Sequence, residues 1–407
     1  MNKPSFARRQ KYLGEKGLIA LITFLSAFVP LSTDLYLPAL PGIALYFNVP
    51  AYLVNLTLIF FFVFFGAGTL LWGPLSDKYG RKPVLLIGLS IYCAAGIACA
   101  NSWDIYHLIA FRSLQALGGS CAFAVATAMI KDVYESKRRE PILAMVQSMV
   151  LISPAVAPVL GAFLLKFMSW RGVFWTLAFI GLLALAGTIA LRETIAHRYT
   201  GSMLQAPGRL YTVAKNPDFS SLLALFSLPS VSTMAFIASS SYIYINGFDL
   251  SAQTYSYYFA INAIGMIAGP LLYVRVSVKY ARRSIIIACF AAISTSGLLI
   301  SGFGGFQPWI LIILLLPATI SSSCVRTPGA NLMLEQQRQD TGSAAALISC
   351  FGLFMGSIGM TIISLNWSNT ILLLGLMNIL IGLVCGALWL RISQRPYVMK
   401  VPERYIA

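Results

Sequence analysis

The chain has 407 residues, of which 58% are hydrophobic and only 10% are charged, and its formal net charge is +16. Soluble globular proteins carry charge on about a quarter of their residues, so this composition excludes a soluble domain and, despite the basic excess, a soluble nucleic-acid-binding protein. Long apolar runs recur along the sequence, and many can cross the ~30 Å hydrocarbon core of a bilayer. We therefore predict an all-α polytopic membrane protein.

Twelve transmembrane helices are predicted from the apolar runs and the polar breaks between them. Helices are expected because every backbone polar group must be paired inside lipid, and the alternating pattern of barrel strands is absent. The predicted helices cover residues 18–40, 52–75, 83–101, 105–130, 141–165, 170–191, 219–246, 253–275, 284–303, 308–333, 343–365 and 368–391.

The basic residues are distributed unequally about these helices. On one side lie 25 of the 29 basic residues, and on the other only Lys166 and Arg171. Basic loops stay in the cytoplasm, so both termini are predicted to be cytoplasmic. The seven cysteines lack the paired spacing of a disulfide framework or a metal site, and no metal is predicted.

The first predicted helix contains the stretch PLSTDLYLPALP at 30–41, with three prolines and Asp34. A charge inside the membrane costs ~2.5–3.5 kcal/mol on insertion scales and is a functional candidate by default. Arg112 lies in the fourth helix; at 1.5 Å per residue, Asp34 is ~8 Å and Arg112 ~10 Å from the outer ends of their helices. Both charges are therefore expected at similar depth.

Asp34 and Arg112 together suggest proton coupling. Burial favours the protonated form of a carboxyl, and a nearby arginine favours the charged form. A movement that changes water access or the distance to Arg112 would load and release one proton. The alternative is a static ion pair or a helix-packing hydrogen bond.

The loop between helices 2 and 3 reads GPLSDKYGRKP at 73–83. Gly73 is expected to permit close approach of neighbouring helices, and Gly80 a tight turn. Asp77 is expected to pair with an arginine or accept from a helix N-terminus, while Arg81 and Lys82 stay at the interface. Such a cluster would latch one conformation if it breaks in the other; the alternative is that these charges only fix topology.

The fifth predicted helix carries Pro154, Pro158 and Gly161 at i, i+4 and i+7. These residues share one helical face, where they remove backbone donors and bulk. The spacing predicts a bend and a close contact with a neighbouring helix.

The longest polar break divides the spans six and six. It predicts an N-terminal bundle at 1–192, a cytoplasmic central loop at 193–217 and a C-terminal bundle at 218–407. LSDKYGRKP at 75–83 aligns with VSVKYARRS at 276–284, although Val278 replaces the aspartate, and Ala235 takes the repeat-related position of Asp34. Parallel repeats of six spans, with a substrate path between them, are an architecture of secondary transporters.

Uncharged polar and aromatic residues within the spans are candidates for a substrate cavity, because a mostly apolar pocket needs a few orienting hydrogen bonds. The alternative for each is helix packing or a position at the lipid interface. These candidates are Tyr36, Asn55, Gln115, Gln147, Tyr242 and Asn262.

Four stretches resemble the major facilitator superfamily. GPLSDKYGRKP is similar to its loop 2–3 signature, FRSLQALGGS at 111–120 to its buried-arginine motif, and PAVAPVLG at 154–161 to the Pro/Gly motif typical of antiporters. STDLYLPALP resembles the first helix of the bicyclomycin- and chloramphenicol-resistance branch of drug–proton antiporters. The resemblance implies the major facilitator fold, and proton-coupled efflux of small amphipathic drugs across a bacterial cytoplasmic membrane.

Other functions compete with drug efflux. The same mechanism could export a natural solute such as a sugar, an amino acid or a siderophore, whereas uptake by symport agrees less well with the antiporter-like fifth helix. The sequence has no nucleotide-binding loop, metal-ligand cluster or catalytic triad, so neither an enzyme nor a cofactor is predicted. The expected partners are a small-molecule substrate, protons and the lipid bilayer, and twelve spans in one chain suffice for a monomer.

Overall fold

The computed structural model describes residues 10, 12–134, 136–195, 198, 205–337 and 341–399, and their regular elements are all helical. A 3₁₀ turn covers Leu37–Ala39 and a π-helical turn Tyr242–Gly247. The α-helices, in chain order, are α1 (Gly14–Ser26), α2 (Phe28–Asp34), α3 (Leu40–Phe47), α4 (Ala51–Tyr79), α5 (Arg81–Ala100), α6 (Ile105–Val133), α7 (Ser136–Leu164), α8 (Trp170–Ala190), α9 (Gln205–Ala214), α10 (Pro217–Ser227), α11 (Pro229–Ser241), α12 (Ala252–Val276), α13 (Arg282–Phe303), α14 (Pro308–Glu335), α15 (Thr341–Ser364), α16 (Thr370–Ile392) and α17 (Pro396–Met399).

The prediction of an all-α polytopic membrane protein is confirmed. Within the described ranges, ten helices are long and apolar enough to cross a membrane, and a bent pair at the start of the chain makes an eleventh span. The predicted fifth span, 141–165, coincides with α7, of which Ser148–Leu164 is a shorter apolar segment.

The first span differs from the single helix predicted at 18–40. It is broken into α1, α2, the 3₁₀ turn and α3, and it bends by 46°. Pro30, Pro38 and Pro41 explain the break, because each removes a backbone donor and clashes with the preceding turn. The span also continues to Phe47, so Asp34 lies ~20 Å along the chain from its end rather than the ~8 Å expected from helix geometry.

Several helices begin where a side chain caps their first turn. The Asp104 carboxylate accepts from the His107 N–H at the start of α6, and Ser251 and Asn369 do the same for α12 and α16. Such caps pair backbone donors that have no partner inside the helix. The predicted central loop also contains a ten-residue helix, α9, whose Val213 is buried.

The described chain forms two compact units, Met1–Ala206 and Pro207–Ala407. In the first unit α4 packs on α6, α5 on α8, and α2 on α7; in the second α12 packs on α14, α13 on α16, and α11 on α15. The same helix pairs therefore occur at equivalent positions of the two units, which supports the predicted internal repeat.

Glycine contacts between the helices follow the same repeat. A Cβ at Gly68 would meet Ser120, and a Cβ at Gly269 would meet Ser323. Gly68 of α4 is therefore the counterpart of Gly269 of α12, and Ser120 of α6 that of Ser323 of α14. These two matched contacts show which residues of α12 and α14 correspond to which residues of α4 and α6.

Candidate functional site

Asp34 lies at the last residue of α2, inside the broken first span. Its side chain is 6% exposed, and its Oδ1 accepts a hydrogen bond from the Thr33 hydroxyl at 3.0 Å. A Cβ at Gly161 of α7 would overlap the carbonyl oxygen of Leu35. Gly161 therefore allows α7 to lie directly against the backbone next to Asp34.

The other residues of the α7 motif lie on the same helix as expected. α7 continues through both Pro154 and Pro158 without an interruption, and Pro158 and Gly161 are buried. The second unit repeats the contact, since a Cβ at Gly359 of α15 would overlap the carbonyl oxygen of Val231.

Two hydrogen bonds hold the backbone on either side of Asp34. The Ser32 hydroxyl bonds with the Tyr92 hydroxyl of α5 at 2.6 Å, and the Tyr36 hydroxyl bonds with Thr57 of α4 at 2.9 Å. Buried polar networks of this kind fix a unique local geometry when each member is satisfied. The carboxyl is thus held on a segment that is fixed at both ends.

Arg112 is fully buried within a cage of aromatic rings. Its guanidinium carbon lies 4.3 Å from the ring centre of Phe61, 4.9 Å from that of Tyr36 and 5.6 Å from that of Phe174. The faces of aromatic rings attract cations, most strongly where water is excluded. The cage therefore offsets part of the cost of burying this charge.

The hydrogen bonds of Arg112 leave part of its guanidinium unused. Nη1 donates to Gln115 Oε1 at 2.8 Å and to the Ser32 carbonyl at 3.3 Å. Nε and Nη2 have no partner among the described residues, nor has the Gln115 Nε2. No ion pair joins Arg112 to Asp34 in the described structure. Arg112 therefore contacts the Asp34 segment through Ser32, with donors still available for an acceptor.

The remaining substrate candidates are divided between the units. Tyr36 and Gln115 meet at Arg112, and Asn55 is buried on α4. In the second unit Asn262 accepts from Thr319 at 2.7 Å, while Tyr242 is half-buried on the π-helical turn. The side chain of Gln147 lies outside the described residues. No group of His, Cys, Asp and Glu suited to a metal is found in the described part of the chain.

The loop between α4 and α5 carries a cluster of charges around Arg81, which is 5% exposed. Arg81 Nη1 pairs with Asp77 at 2.6 Å and donates to the Ser76 hydroxyl at 2.6 Å, and its Nε pairs with Asp132 of α6 at 2.8 Å. Gly80 has a φ of 107°, which favours glycine. The turn predicted at Gly80 is present, and Arg81 ties three segments together.

Glu193, just after α8, completes this cluster and was not predicted from the sequence. Its carboxylate accepts from the backbone N–H groups of Arg81 at 3.0 Å and Lys82 at 3.2 Å. It therefore places a negative charge at the N-terminus of α5, where the helix dipole favours one. The only signal in the sequence for a role of Glu193 was its position as the first acidic residue after the sixth apolar run.

The close helix approach expected at Gly73 is not made by the described residues, because none of their atoms lies within 4 Å of a Cβ placed there. In the second unit the loop differs as the sequence indicates. Ala281 has an ordinary φ of −61°, so no glycine is needed there, and Arg282 donates to the Val398 carbonyl at 3.3 Å.

Comparisons with known proteins agree with this architecture. The profile of the Major Facilitator Superfamily matches residues 22–360. A chloramphenicol resistance protein of Pseudomonas aeruginosa is 30% identical over 402 residues, which cover 91% of each chain. A bicyclomycin resistance protein homolog of Haemophilus influenzae is 24% identical over 359 residues, which cover 84% of this chain and 87% of the relative.

A solved peptide transporter in complex with sulfate has the same fold, with a TM-score of 0.75 at 14% identity, covering 97% of this chain and 99% of the other. The fold and the relatives are those of transporters and not of enzymes. The helix repeat, the Arg81 loop and the profile match together identify the chain as a multi-pass membrane transporter of the Major Facilitator Superfamily.

Proposed function

We propose that this transporter exports small amphipathic drugs, of the chloramphenicol or bicyclomycin kind, in exchange for protons by alternating access. Asp34 carries the proton. The observation that supports this most strongly is a buried carboxyl on a segment whose Ser32 carbonyl accepts from Arg112, a caged arginine with Nε and Nη2 groups that have no partner among the described residues.

The chemistry needs two environments for one carboxyl. Burial disfavours a carboxylate, whereas a cation within reach stabilises it. In the described arrangement Asp34 receives one hydrogen bond, from Thr33, and Arg112 is held by Ser32 and Gln115. A shift of the broken span that brings Asp34 to the free donors of Arg112 would release the proton, and the reverse shift would take up another.

Arg112 has a second role in this scheme. Its Nη1 holds Gln115 Oε1 and so leaves the Gln115 Nε2 as a donor for an acceptor on the substrate, while its own unused donors suit the Asp34 carboxylate. The substrate would therefore bind while Asp34 is ionised and lies on Arg112. Protonation takes Asp34 away from Arg112 and disturbs this arrangement, so uptake of a proton is coupled to release of the substrate.

One proton supplies enough free energy for export. A membrane potential of 100 mV gives ~2.3 kcal/mol per charge, and each unit of pH difference adds ~1.4 kcal/mol. Their sum supports a substrate concentration ratio on the order of several hundred.

The loop around Arg81 acts as the latch of this cycle. Arg81 links α4 to α6 through Asp77 and Asp132, and Glu193 fastens the start of α5 to the residues after α8. Such charge pairs have two discrete states, made or broken, as a conformational switch requires. Gly161 serves the same cycle by letting α7 contact the segment that carries Asp34.

Drug export is favoured over export of a natural solute by the relatives, two of which are named for resistance to chloramphenicol and bicyclomycin. We place both termini on the cytoplasmic side, as the distribution of basic residues predicts. The bacterial relatives support a bacterial cytoplasmic membrane, and we propose a monomer because twelve predicted spans in one chain suffice for a transporter.

The test uses inside-out vesicles that contain the protein and hold a pH gradient, with a pH-sensitive dye as readout. Chloramphenicol should evoke proton release that empty vesicles do not show. Release evoked by a sugar or an amino acid, but by none of a panel of unrelated drugs, would instead support the natural-solute exporter.

A further inference from the structure

A short segment after α16 packs back onto the second unit. This segment, residues 395–399, contains α17, and we call it the C-terminal strap. The Arg395 carbonyl accepts from the backbone N–H groups of Val398 at 3.0 Å and Met399 at 3.1 Å. Only 3% of Val398 is exposed, and it belongs to the apolar core of this unit, whereas 71% of Met399 is exposed. The strap therefore inserts one side chain into the core, although it follows the last membrane-spanning helix.

Hydrogen bonds join the strap to three helices that are distant in the sequence. The Tyr397 hydroxyl bonds with the Ser221 hydroxyl of α10 at 2.9 Å. The Tyr397 carbonyl accepts from the side chain of Gln336, just after α14, at 3.3 Å. The Val398 carbonyl accepts from Arg282 Nη2, in the first turn of α13, at 3.3 Å. The strap thus ties α10 near its start, the start of α13 and the end of α14 together at one place.

Asn216 adds a direct bond between two of these helix ends. Its Oδ1 accepts from the Asp218 N–H at 3.0 Å and so caps α10, and its Nδ2 donates to the Gln336 carbonyl at 3.4 Å. Gln336 therefore contacts both the start of α10 and the strap. Since Tyr397 reaches Ser221 as well, the strap, α10 and the end of α14 form a closed set of contacts. Connected polar groups of this kind fix one local arrangement.

The first unit has an equivalent connection that is made by other groups. The alignment of the two loop motifs makes Arg282 the counterpart of Arg81, and α16 packs on α13 as α8 packs on α5. After α8 the chain returns to the Arg81 N–H through the Glu193 carboxylate. After α16 it returns to the Arg282 side chain through the Val398 carbonyl. In each unit, the segment after α8 or α16 therefore contacts the start of the helix on which α8 or α16 packs.

The sequence explains why the second unit makes this connection differently. Val278 replaces Asp77, so Arg282 has no acid four residues before it. The N-cap residue of α13 is an alanine, which offers no side-chain acceptor, whereas the Glu193 carboxylate serves the start of α5. A backbone carbonyl of the strap supplies an acceptor to Arg282, and the buried side chain of Val398 adds apolar contact.

We propose that the C-terminal strap is the latch of the second unit, which holds α10, α13 and α14 together in one state of the transport cycle and releases them in the other. The proposal rests on the alternating-access function proposed above, in which the loop around Arg81 has this role in the first unit. The side chains that anchor the strap are one buried valine and one tyrosine hydroxyl. Elements that move in such cycles come from the less stable parts of a fold, which open without global unfolding.

The test is hydrogen exchange with mass spectrometry on the full-length protein in detergent, with wild type, Val398→Asp and Met399→Asp. Burial of an unpaired carboxylate is costly, so the strap should leave its site in Val398→Asp. The control, Met399→Asp, adds the same charge at the neighbouring exposed position. Amide exchange at the starts of α10 and α13 and at the end of α14 should become about tenfold faster in Val398→Asp. It should keep the wild-type rate in Met399→Asp, and exchange at the start of α5 should not change in either variant.

A milder variant tests the strap even if Val398→Asp does not fold. Tyr397→Phe keeps the aromatic ring and removes only the hydroxyl that bonds with Ser221. Exchange at the start of α10 should become faster in this variant, whereas exchange at the start of α13 should not change. Unchanged exchange in both Tyr397→Phe and Val398→Asp would show that the strap holds nothing and would overturn the proposal.

Drug-evoked proton release from vesicles separates the latch from the proposed export function. Release should be about tenfold slower in Val398→Asp, because the latched state is less populated, and unchanged in Met399→Asp. Faster amide exchange in Val398→Asp together with proton release at the wild-type rate would overturn the latch and leave drug export standing. A wild type that releases no protons with any drug would overturn the proposed export, and amide exchange alone would then decide whether the strap holds the three helices.

Discussion

Substitution of Gly161 by alanine should damage both stability and transport. The added Cβ would overlap the carbonyl oxygen of Leu35, which is a backbone atom that no rotamer change can move aside. α7 and the Asp34 segment would have to move apart to restore ordinary van der Waals contact. Overpacking of this kind costs about 1–3 kcal/mol.

The matched control is Gly42→Ala on α3, at the end of the same broken span. No atom of the described residues lies within 4 Å of a Cβ at Gly42, and alanine favours helix over glycine by up to ~1 kcal/mol. Thermal unfolding in detergent should therefore show a lower Tm for Gly161→Ala and an unchanged or higher Tm for Gly42→Ala. Substrate-evoked proton release should fall only in Gly161→Ala. Equal Tm values for Gly161→Ala and wild type would refute the close contact between α7 and Leu35.

Three further predictions concern the ends of helices. Gly80→Ala should destabilise the protein by about 1–3 kcal/mol, because alanine is strained at the positive φ of this position. The repeat-related Ala281→Gly should change the Tm little. An equal loss of Tm in the two variants would show that the φ of Gly80 causes no such strain. Glu193→Gln should cost about 1 kcal/mol, since an amide nitrogen cannot accept from the N-terminus of α5, and an unchanged Tm would show that the cap contributes nothing. The N–H of His107 donates to Asp104 and holds the pKa of that carboxyl below its usual range. The charged cap therefore contributes stability at neutral pH that is lost as pH falls through the lowered pKa. Thermal unfolding followed from neutral to acidic pH should show a steeper loss of Tm in wild type than in Asp104→Asn, and parallel curves would contradict this.

The fold follows from the sequence because lipid leaves few choices. Apolar runs of membrane-spanning length must be helices, and the recurrence of the loop motif at 276–284 indicates two equivalent halves. Asp34 and Arg112 also stand out, since a charge within a span is rare and costly. Residue type alone marks both as candidates, and the structure adds the contact of Arg112 with the Ser32 carbonyl.

Contacts between distant segments are not accessible from pattern alone. Glu193 meets Arg81 although the two are far apart in sequence, and no periodicity connects a residue after α8 to the start of α5. A single first helix is the wrong expectation because its prolines break the span and a further helix follows. The packing role expected of Gly73 rests on residue type, but a glycine permits a close approach without requiring one.

The most direct test of the account compares two transport modes in reconstituted vesicles that contain either wild type or the Asp34→Asn variant. Exchange of labelled for unlabelled chloramphenicol across the membrane needs no net proton movement, whereas uphill export does. We predict that wild type performs both, and that the Asp34→Asn variant keeps exchange but loses uphill export and drug-evoked proton release. Proton release at the wild-type rate in the variant would show that the proton is carried elsewhere and would contradict the central claim.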